Sequence, residues 1–437
     1  MNNSASDKLI TQRFVTEFNC IGPDCPVNCC QNWSILLEKK AFLGIKKLYN
    51  NIPGSKRLTS SLKKDKKTKN DHEYGIIKLD KDGLCPFLNT DGLCDIHGRF
   101  GSEKLGFACR DFPRSVTEND DSTELSISLA CPEAARLCLT MENATDFIEV
   151  GTDHIRDMSG QKSQLKTTEF SPNNVRWRNE IRQVMLSIID ADQYSIDERL
   201  YLMLYFSNDV SKSLGTKKDR ISIEQELIGA IDNISAPLVH PELVKQFKSM
   251  PYDPGPFIVT VSSMIGFKKT RNLILEKYLS DNLTPVIAGF DMSKVDDPQI
   301  NDIKSIFQIV SDRKTVFLKL NNPLDDYFYK VICHYLFQNS ITNASSLLNY
   351  MRKMLILINV IYFLFYINDK LTAIVDGTIT ASDEVHNAIE TALIEAVHMG
   401  QRSLTHQNSF TMKIIDDILD EHGFNQLDRL SMLAKSN

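Results

Sequence analysis

The sequence lacks the features of a secreted or membrane-embedded protein. The amino-terminal stretch MNNSASDKLITQRF has no apolar signal core, so we expect no export by that route. The longest apolar run, Met354 to Ile367, has fourteen residues and contains Asn359. A membrane-spanning helix needs about 20 apolar residues. We therefore expect a buried core helix at this run, no membrane insertion and a cytoplasmic protein.

Two further absences concern possible ligands. The net charge of −6 gives no overall basic field, so nucleic acid is not an expected partner. The glycines are scattered, and they form no glycine-rich strand–turn–helix of the kind that cradles a nucleotide-like cofactor. With 42% hydrophobic and 24% charged residues, the chain has the composition of a soluble globular protein.

Cysteine is nearly absent from the last three hundred residues, where only Cys333 occurs, and is concentrated in the first third of the chain. Nine cysteines there follow a fixed order: Cys20-x4-Cys25-x3-Cys29-Cys30, Cys85-x8-Cys94, Cys109, Cys131 and Cys138. Thiols stay reduced in the cytosol, so clustered cysteines indicate metal ligands rather than disulfides. Soft sulfur ligands suit zinc and iron–sulfur clusters alike, and both metals stay open at this point.

The spacing of the cysteines indicates how they come together. Cys25-x3-Cys29 lies in the range that zinc-binding pairs favour. Residues 89–92, Asn-Thr-Asp-Gly, are strong turn chemistry and predict a hairpin that brings Cys85 and Cys94 close to one another. The spacing x3 then x2, typical of radical chemistry with S-adenosylmethionine, does not occur.

Two cysteines and one histidine have simpler interpretations. Cys138 lies in the middle of a predicted helix among Ala134, Ala135 and Leu137, so we expect it in the core. We expect the same of Cys333, which lies in an apolar helical pattern. His97 follows Cys94 closely enough to be a further metal ligand, although a hydrogen-bonding role after the hairpin is the alternative.

The fold class predicted is mainly α, with a small cysteine-rich α+β amino-terminal region of short hairpins followed by an all-helical part. A polar, turn-rich stretch at 151–173 indicates a boundary, so we divide the chain into domains 1–160 and 161–437. Ser195–Glu198 and Ser222–Gln225 both have the spacing of a capping box. Residues 34–50 have a helical apolar face. Long helical patterns cover 324–338, 344–368, 383–400 and 410–421.

Four segments of the first 140 residues resemble the flagellin lysine-N-methylase family and, more distantly, small bacterial cysteine-cluster proteins that chelate zinc or iron. They are FNCIGPDCPVNCCQNW at 18–33, GLCPFLNTDGLCDIHGRFG at 83–101, ACRDFPR at 108–114 and SLACPEAARL at 128–137. Family members often have Gly-Trp after the double cysteine, where this chain has Asn32-Trp33. The helical remainder is similar to the family in size and character.

The resemblance implies a cytoplasmic bacterial enzyme that methylates lysine side chains of flagellin. The implied methyl donor is S-adenosylmethionine, and the implied cofactor is a [4Fe–4S] cluster, with zinc as the alternative metal. Eight cysteines match the family pattern as metal ligands: Cys20, Cys25, Cys29, Cys30, Cys85, Cys94, Cys109 and Cys131. Because eight ligands exceed the need of one cluster, some are structural or bind a second metal. The helical domain would then bind the substrate protein.

Methylation requires a neutral amine, yet free lysine has a pKa of about 10.4. A base beside the amine or its desolvation would remove the proton. Four residues are candidate bases, and the sequence does not distinguish them: Glu133, His97, Asp111 and Tyr74. Glu133 and Asp111 are the two that enter the predicted site. Arg110 and Arg114 flank an Asp-Phe-Pro turn and are candidates for binding the carboxylate of the donor, because the guanidinium fork suits that group.

Two alternatives to an enzyme stay open from the residues alone. One is a non-catalytic, zinc-stapled module whose helical part binds a partner protein. The other is a redox or metal-handling protein that uses the surplus thiols. Oligomeric state and the choice of substrate lysines have no signal in the sequence.

Overall fold

The computed structural model describes residues 8–33, 35–65, 70–120, 122–155, 163–165, 176–214, 219–266, 273–287, 300–320, 324–406 and 410–435. The chain divides into two compact units. The first comprises Met1–Lys166, Arg271–Tyr278 and Gln401–Ser409, and the second comprises Thr167–Thr270, Leu279–Gly400 and Phe410–Asn437. The domain boundary predicted between residues 160 and 161 lies outside the described residues. The predicted fold class, mainly α with a small α+β amino-terminal region, is confirmed.

The first unit contains two small sheets. Its strands are β1 (Leu9–Gln12), β2 (Ile35–Leu37), β3 (Leu62–Lys64), β4 (Gly75–Ile77), β5 (Arg114–Glu118), β6 (Thr123–Ile127), β7 (Phe147–Val150) and β8 (Ser163–Gln164). One sheet has the order β7-β1-β6-β5-β8, and the other has the order β2-β4-β3. In the first sheet β1 pairs in parallel with β6 and antiparallel with β7, and β5 pairs antiparallel with β6. The second sheet is antiparallel throughout.

Short helices connect these strands. They are α1 (Arg13–Thr16), α2 (Lys39–Asn50), α3 (Lys56–Ser61), α4 (Asp95–Phe100), α5 (Phe107–Asp111) and α6 (Pro132–Thr140). Helix α2 is amphipathic, and Phe42, Ile45 and Tyr49 pack into the core beneath the β2-β4-β3 sheet. The helix predicted over 34–50 is wrong at its start, because Ile35–Leu37 pairs as a strand with Gly75–Ile77.

The remaining described helices follow the long apolar patterns. They are α7 (Arg178–Ile189), α8 (Ile196–Leu214), α9 (Arg220–Ser235), α10 (Val239–Ser249), α11 (Gly255–Gly266), α12 (Leu273–Leu283), α13 (Ile300–Lys319), α14 (Leu324–Gln338), α15 (Leu347–Ile367), α16 (Thr372–Val375), α17 (Ser382–Gln401), α18 (Phe410–Glu421) and α19 (Leu427–Ala434). The four long helical patterns predicted between 324 and 421 are confirmed.

Helix α15 is the core of the second unit and packs against α8, α11, α13, α14, α18 and α19. Its 21 residues are long and apolar enough to cross a membrane, but 94% of the most apolar window is buried inside the protein. Such burial is typical of a core helix, as the sequence predicts. Arg352 on its polar side forms a buried ion pair with Asp416, with Nε to Oδ1 at 2.6 Å.

Only one of the two predicted capping boxes forms. The amide of Ser195 donates to Oε2 of Glu198 over 3.0 Å, and the amide of Glu198 lies 3.4 Å from Oγ of Ser195. At the second position the prediction is wrong. Helix α9 begins earlier, with Asp219 as its N-cap, and Ser222 lies inside the first turn and donates to that cap.

Candidate metal centre

A tight hairpin positions Cys85 and Cys94, as the sequence predicts. Leu88 and Cys94 form an antiparallel bridge, and Oδ1 of Asn89 accepts the amide of Leu93 at 2.8 Å across the turn. Gly92 has a φ of +74°, a backbone conformation that favours glycine. The turn chemistry thereby brings two cysteines together across eight intervening residues.

The double cysteine is attached to that hairpin through backbone hydrogen bonds. The amide of Cys85 donates to the carbonyl of Cys30 over 2.9 Å, and the amide of Asn32 donates to the carbonyl of Gly83 over 2.8 Å. Asn32 has a φ of 55°, in the left-handed region. Asparagine tolerates this conformation better than most residues.

Two further cysteines begin helices. Cys94 is the N-cap residue of α4, and Cys131 is the N-cap residue of α6, although neither thiol makes a full capping hydrogen bond. The backbone N–H groups of the first helical turn still act on both sulfurs and lower their pKa, against the larger raising effect of burial. Amide groups directed at a sulfur stabilise its thiolate form, which is the form that binds metal.

The candidate thiols have two different environments. Cys85 belongs to the apolar core beneath the β2-β4-β3 sheet, and Cys30, Cys94 and Cys109 pack against that same core. The other four candidates do not belong to that core. Cys20 and Cys29 are exposed, and Cys25 and Cys131 are partly buried, as Cys30, Cys94 and Cys109 also are.

Burial dominates the electrostatics of most of these thiols. Desolvation raises the pKa of Cys85 to about 12 and that of Cys131 to about 11, and it raises the pKa of Cys109 well above its ordinary value. Cys29 is the exception, since the hydrogen bond from the thiol of Cys30 lowers its pKa to about 7, with a further contribution from Arg402.

Negative charge on Cys29 in turn raises the pKa of six other candidate thiols, which places its sulfur among them. The six are Cys25, Cys30, Cys85, Cys94, Cys109 and Cys131. Cys20 joins the group through its effect on the pKa of Cys25. All eight predicted ligands belong to the first unit, while the predicted core residues Cys138 and Cys333 are buried at 0% and 3% exposure.

Two arginines supply positive charge to this region. Nη2 of Arg402 donates to the carbonyl oxygens of Asn28 at 3.1 Å and Gln31 at 2.8 Å. Only 2% of Arg402 is exposed, and burial lowers the pKa of its guanidinium against the raising effect of the nearby cysteine thiolates. Arg114 donates to the carbonyl of Phe18 over 3.0 Å, and Cys20 and Cys131 act on its charge.

Arg402 is a residue that the sequence analysis misses. It lies in the short π-helical stretch Arg402–His406, far along the chain from every cysteine that it approaches. Its neighbours in sequence carry no motif, so no local signal identifies it. The cluster of cysteines is visible in the sequence, but the arginine that lies beside it is not.

The two candidate bases differ in their hydrogen bonding. Both carboxylate oxygens of Glu133 accept bonds from Arg136, each at 2.7 Å, so this side chain is fully engaged. Asp111 accepts from Nε of Arg110 at 3.1 Å through Oδ1. Its Oδ2 is buried and has no hydrogen-bond partner among the described residues. Asp111 is therefore the better placed of the two to take a proton.

His97 is a weaker candidate for a metal ligand, and Arg110 is a weaker candidate for binding the donor carboxylate. The side chain of His97 is exposed on α4, and the part of this residue that acts on Cys94 is its backbone N–H. Arg110 is held by Asp111 in a largely buried ion pair. Of the two arginines that are candidates for binding the donor carboxylate, Arg114 is the one that interacts with cysteines.

The fit of a metal to these residues can be judged from the donors themselves. All ten cysteines are free thiols, so none is consumed in a disulfide. Soft thiolates are the ligands that zinc and iron–sulfur clusters share. Within the described residues, however, no three His, Cys, Asp or Glu side chains are already arranged around a common point. The donor chemistry of the thiols fits a thiophilic metal.

The second unit contains a separate cavity of about 840 Å³. Aromatic and apolar side chains line it together with lysines, including Phe257, Phe307, Tyr362, Tyr366, Lys304 and Lys314. Tyr252 and Leu318, which also line it, are 50% and 64% exposed. These exposed side chains make the cavity a partly apolar cleft.

Comparison with known proteins decides the family. The model of the FliB lysine N-methylase C-terminal domain matches residues 182–433, more than half of the chain. The chain belongs to the FliB lysine N-methylase family. This match covers the helical part, whereas the resemblance seen in the sequence rests on the cysteine segments.

Curated relatives agree with this family. The chain is 33% identical over 132 residues to the flagellar biosynthetic protein FliU of Salmonella muenchen, a match that covers 30% of this chain and 76% of FliU. It is 33% identical over 137 residues to a lysine-N-methylase of Salmonella typhimurium and to one of Salmonella choleraesuis. Those two matches cover 31% of this chain and 33% of each relative. No solved structure matches the chain.

Proposed function

We propose that this protein transfers methyl groups from S-adenosylmethionine to lysine side chains of flagellin in the bacterial cytoplasm. We propose further that its amino-terminal cysteines hold a metal centre, a [4Fe–4S] cluster in the first instance, with zinc as the alternative. Membership of a lysine N-methylase family and relatives named for flagellar biosynthesis and lysine methylation support this proposal. The presence of eight free cysteine thiols in the first unit is the single observation that carries the proposed metal centre.

The reaction is a displacement at the sulfonium methyl group. The lone pair of the lysine Nζ attacks the methyl carbon, the carbon–sulfur bond breaks, and its electron pair stays on sulfur to leave a neutral thioether. The lysine must first lose a proton, because an ammonium has no lone pair to donate. Catalysis therefore consists of taking that proton and holding the two reactants in line.

We propose that Asp111 is the base that accepts the proton of the substrate lysine. Its Oδ1 is held by Arg110 at 3.1 Å, which fixes the carboxylate, while the buried Oδ2 has no partner among the described residues. A buried carboxylate oxygen without a donor is costly unless a ligand supplies one. An incoming lysine ammonium supplies that donor and then loses its proton to it.

We propose that Arg114 binds the carboxylate of the methyl donor. Its guanidinium lies 4.9 Å from the ring centre of Phe18 and is fixed by its bond to the Phe18 carbonyl. A guanidinium group held in this way is pre-organised to bind a carboxylate. Cys20 and Cys131 both act on its charge, so the donor would lie beside the cysteine region.

The cysteines would hold the metal with the two arginines as neighbouring cations. When bound, an iron–sulfur cluster supplies Lewis-acid and electron-transfer chemistry at this position. The hydrogen bond from Cys30 and, to a smaller extent, the charge of Arg402 lower the pKa of Cys29, which favours the thiolate that ligation needs. Metal binding also offsets the cost of burying several thiols together.

The helical domain, 161–437, is the part that we propose binds the substrate protein. Its cleft exposes Tyr252 and Leu318 and carries Lys304 and Lys314, so it suits an extended segment with apolar and acidic side chains. Leu318→Asp should weaken binding of flagellin about tenfold, the cost of losing one buried leucine contact. Leu238→Asp is the matched control, because Leu238 is 83% exposed and does not line the cleft.

The experiment that tests the activity is transfer of labelled methyl groups. The full chain is purified without oxygen and incubated with flagellin and methyl-labelled S-adenosylmethionine, with and without a reductant. We expect label on flagellin lysines. Absence of label from a preparation that holds its metal would contradict methyl transfer, and metal content would then separate the two non-enzymatic alternatives.

A further inference from the structure

We infer that one side of helix α2 (Lys39–Asn50) is a docking surface for an acidic protein segment that carries an apolar side chain. This side, which we call the α2 outer face, consists of six exposed residues: Lys39, Lys40, Leu43, Gly44, Lys46 and Lys47. It belongs to the first unit and contains none of the cysteines. The inference therefore goes beyond the proposed methyl transfer and does not depend on it.

The two sides of α2 differ in chemistry. Phe42, Ile45 and Tyr49 are buried in the core beneath the β2-β4-β3 sheet. On the other side, Leu43 is 49% exposed and lies three or four residues from each of the four lysines of the α2 outer face. Residues at these spacings are neighbours on a helix surface, so the lysines flank the exposed leucine in both directions along the helix. An apolar centre with a charged rim is the arrangement of a protein-binding surface.

Most of the positive charge of the α2 outer face is not neutralised within the described part of the protein. Lys39 forms an exposed ion pair with Asp71 over 3.2 Å, whereas the other three lysines of the face form no ion pair with any described residue. The segment 39–65 holds eight lysines and arginines against a single carboxylate, Asp65, in a chain whose net charge is −6. A local positive field of this kind attracts an acidic partner and steers its approach.

Gly44 is a second observation, independent of charge. Glycine is among the least favourable residues in the interior of a helix, because it loses the most conformational freedom on folding. A Cβ atom at Gly44 would meet nothing within 4 Å beyond its chain neighbours and the backbone of its own helix, so the described structure gives no packing reason for glycine here. The missing side chain leaves the backbone of α2 open beside Leu43, where the backbone of a partner can approach closely. A face that is merely solvated would gain stability from alanine at this position.

These observations favour a protein segment over other polyanions as the partner. A helix that lies on an anionic membrane needs a wide apolar face. Helix α2 is described throughout, and Leu43 is its single exposed large apolar side chain. The acidic balance of the whole chain disfavours the long phosphate tracts of nucleic acid. An acidic segment with an apolar side chain complements both the lysines and Leu43.

The test is the binding of labelled probes to the full-length chain, measured by fluorescence anisotropy without a methyl donor. The main probe is a glutamate–leucine peptide. The comparison probes are the same peptide with alanine in place of leucine, single-stranded DNA and vesicles of anionic phospholipid. Every chain carries Leu318→Asp, so that binding at the cleft of the second unit is weakened throughout. We expect the glutamate–leucine peptide to bind most tightly, with an affinity that falls as ionic strength rises, because salt screens exposed charges.

Charge reversal tests the lysines of the α2 outer face. The double variant Lys40→Glu, Lys47→Glu should lower the affinity for the glutamate–leucine peptide about tenfold at low ionic strength. The double variant Lys245→Glu, Lys413→Glu is the matched control, because both lysines are exposed on helices of the second unit and neither lines the cleft. This control changes the net charge of the chain equally and should keep the affinity.

Leu43 and Gly44 provide readouts that a solvated lysine face would not move. Leu43→Gln should lower the affinity about tenfold at every ionic strength, because salt does not screen the burial of an apolar side chain. Gly44→Ala should raise the midpoint of thermal unfolding and still weaken binding several-fold, a combination that loss of fold cannot produce. Equal affinity of chains with and without the α2 substitutions would overturn the inference. Binding of the alanine peptide, the DNA or the vesicles as tightly as the glutamate–leucine peptide would overturn it as well.

Discussion

Nη2 of Arg402 donates a hydrogen bond of 2.8 Å to the carbonyl of Gln31, a residue 371 positions earlier in the chain. The same nitrogen reaches the carbonyl of Asn28 at 3.1 Å. Arg402 thereby fixes the backbone on both sides of the double cysteine and brings a buried positive charge to it. The cysteine region is completed by a residue that no cysteine motif contains.

Loss of Arg402 should weaken metal retention. Arg402→Met removes both bonds to the loop that carries the double cysteine, as well as the charge that favours the Cys29 thiolate. Residues that support metal ligands in this way typically change metal affinity by about 10–100-fold. Competition with a chelator measures the loss. Arg99→Met is the control, since Arg99 forms an exposed pair with Asp95, and an equal loss in both variants would contradict the role of Arg402.

Asn32 should tolerate glycine and reject a β-branched residue. Its φ of 55° lies in the left-handed region. This conformation destabilises residues other than glycine, asparagine and aspartate by about 1–2 kcal/mol. Asn32→Gly should therefore keep the free energy of unfolding and the metal content close to wild type, while Asn32→Val should lower both. Thermal unfolding with metal analysis checks this. Equal stability of the two variants would show that the backbone there is not constrained.

Substitution of Asp111 should lower the rate of methyl transfer without loss of fold. Removing a general base typically costs about 10²–10⁴-fold in rate. We expect Asp111→Asn to show such a fall in kcat, and raising the pH should partly restore its rate, because free lysine then deprotonates without help. Glu133→Gln is the control, as both oxygens of Glu133 are engaged by Arg136. A full rate for Asp111→Asn would remove Asp111 from the mechanism.

The buried ion pair of the helical unit should contribute more to stability than its exposed neighbour. Asp416 pairs with Arg352 where both side chains are nearly buried, while Asp420, at 2.9 Å from the same guanidinium, is 55% exposed. Asp416→Asn should cost about 3–5 kcal/mol, the range for an uncompensated buried partner. Asp420→Asn should cost about 0.2–1 kcal/mol. Denaturant unfolding at neutral pH separates these values, and equal costs would contradict the difference in burial.

The contribution of Asp420 should also depend on pH. Its hydrogen bond from Arg352 lowers the pKa of the Asp420 carboxyl, so the unfolded chain binds a proton more readily than the folded one. The stabilisation is present above the ordinary aspartate pKa of about 3.9 and is lost as pH falls through the lower folded value. The stability difference between wild type and Asp420→Asn should therefore shrink below about pH 4. A constant difference down to low pH would contradict it.

Local chemistry explains which parts of the fold the sequence could predict. The Asn-Thr-Asp-Gly segment at 89–92 specifies its own turn, so the hairpin that joins Cys85 and Cys94 follows from a few residues. Helix α14 (Leu324–Gln338) coincides with the predicted segment, because the apolar periodicity that predicts the helix lies entirely within that segment. These elements need no information from distant residues.

The failures have a common physical cause. Ile35–Leu37 has an apolar pattern compatible with a helix, and it becomes a strand because Gly75–Ile77 lies beside it. Pairing across forty residues is not encoded in the local pattern. Arg402 could not be identified for the same reason, since its partners near Gln31 are 371 residues away. The candidate bases could be named from the sequence, whereas the distinction between Asp111 and Glu133 required their hydrogen bonds.

The central claim is that thiols from distant segments converge on a shared inorganic centre. X-ray absorption at the edge of the bound metal tests it most directly in the anaerobically purified full-length protein. We predict a first shell of sulfur only, at about 2.3 Å for zinc. A first shell of oxygen and nitrogen, or a protein whose cysteines are oxidised to disulfides and hold no metal, would contradict the account.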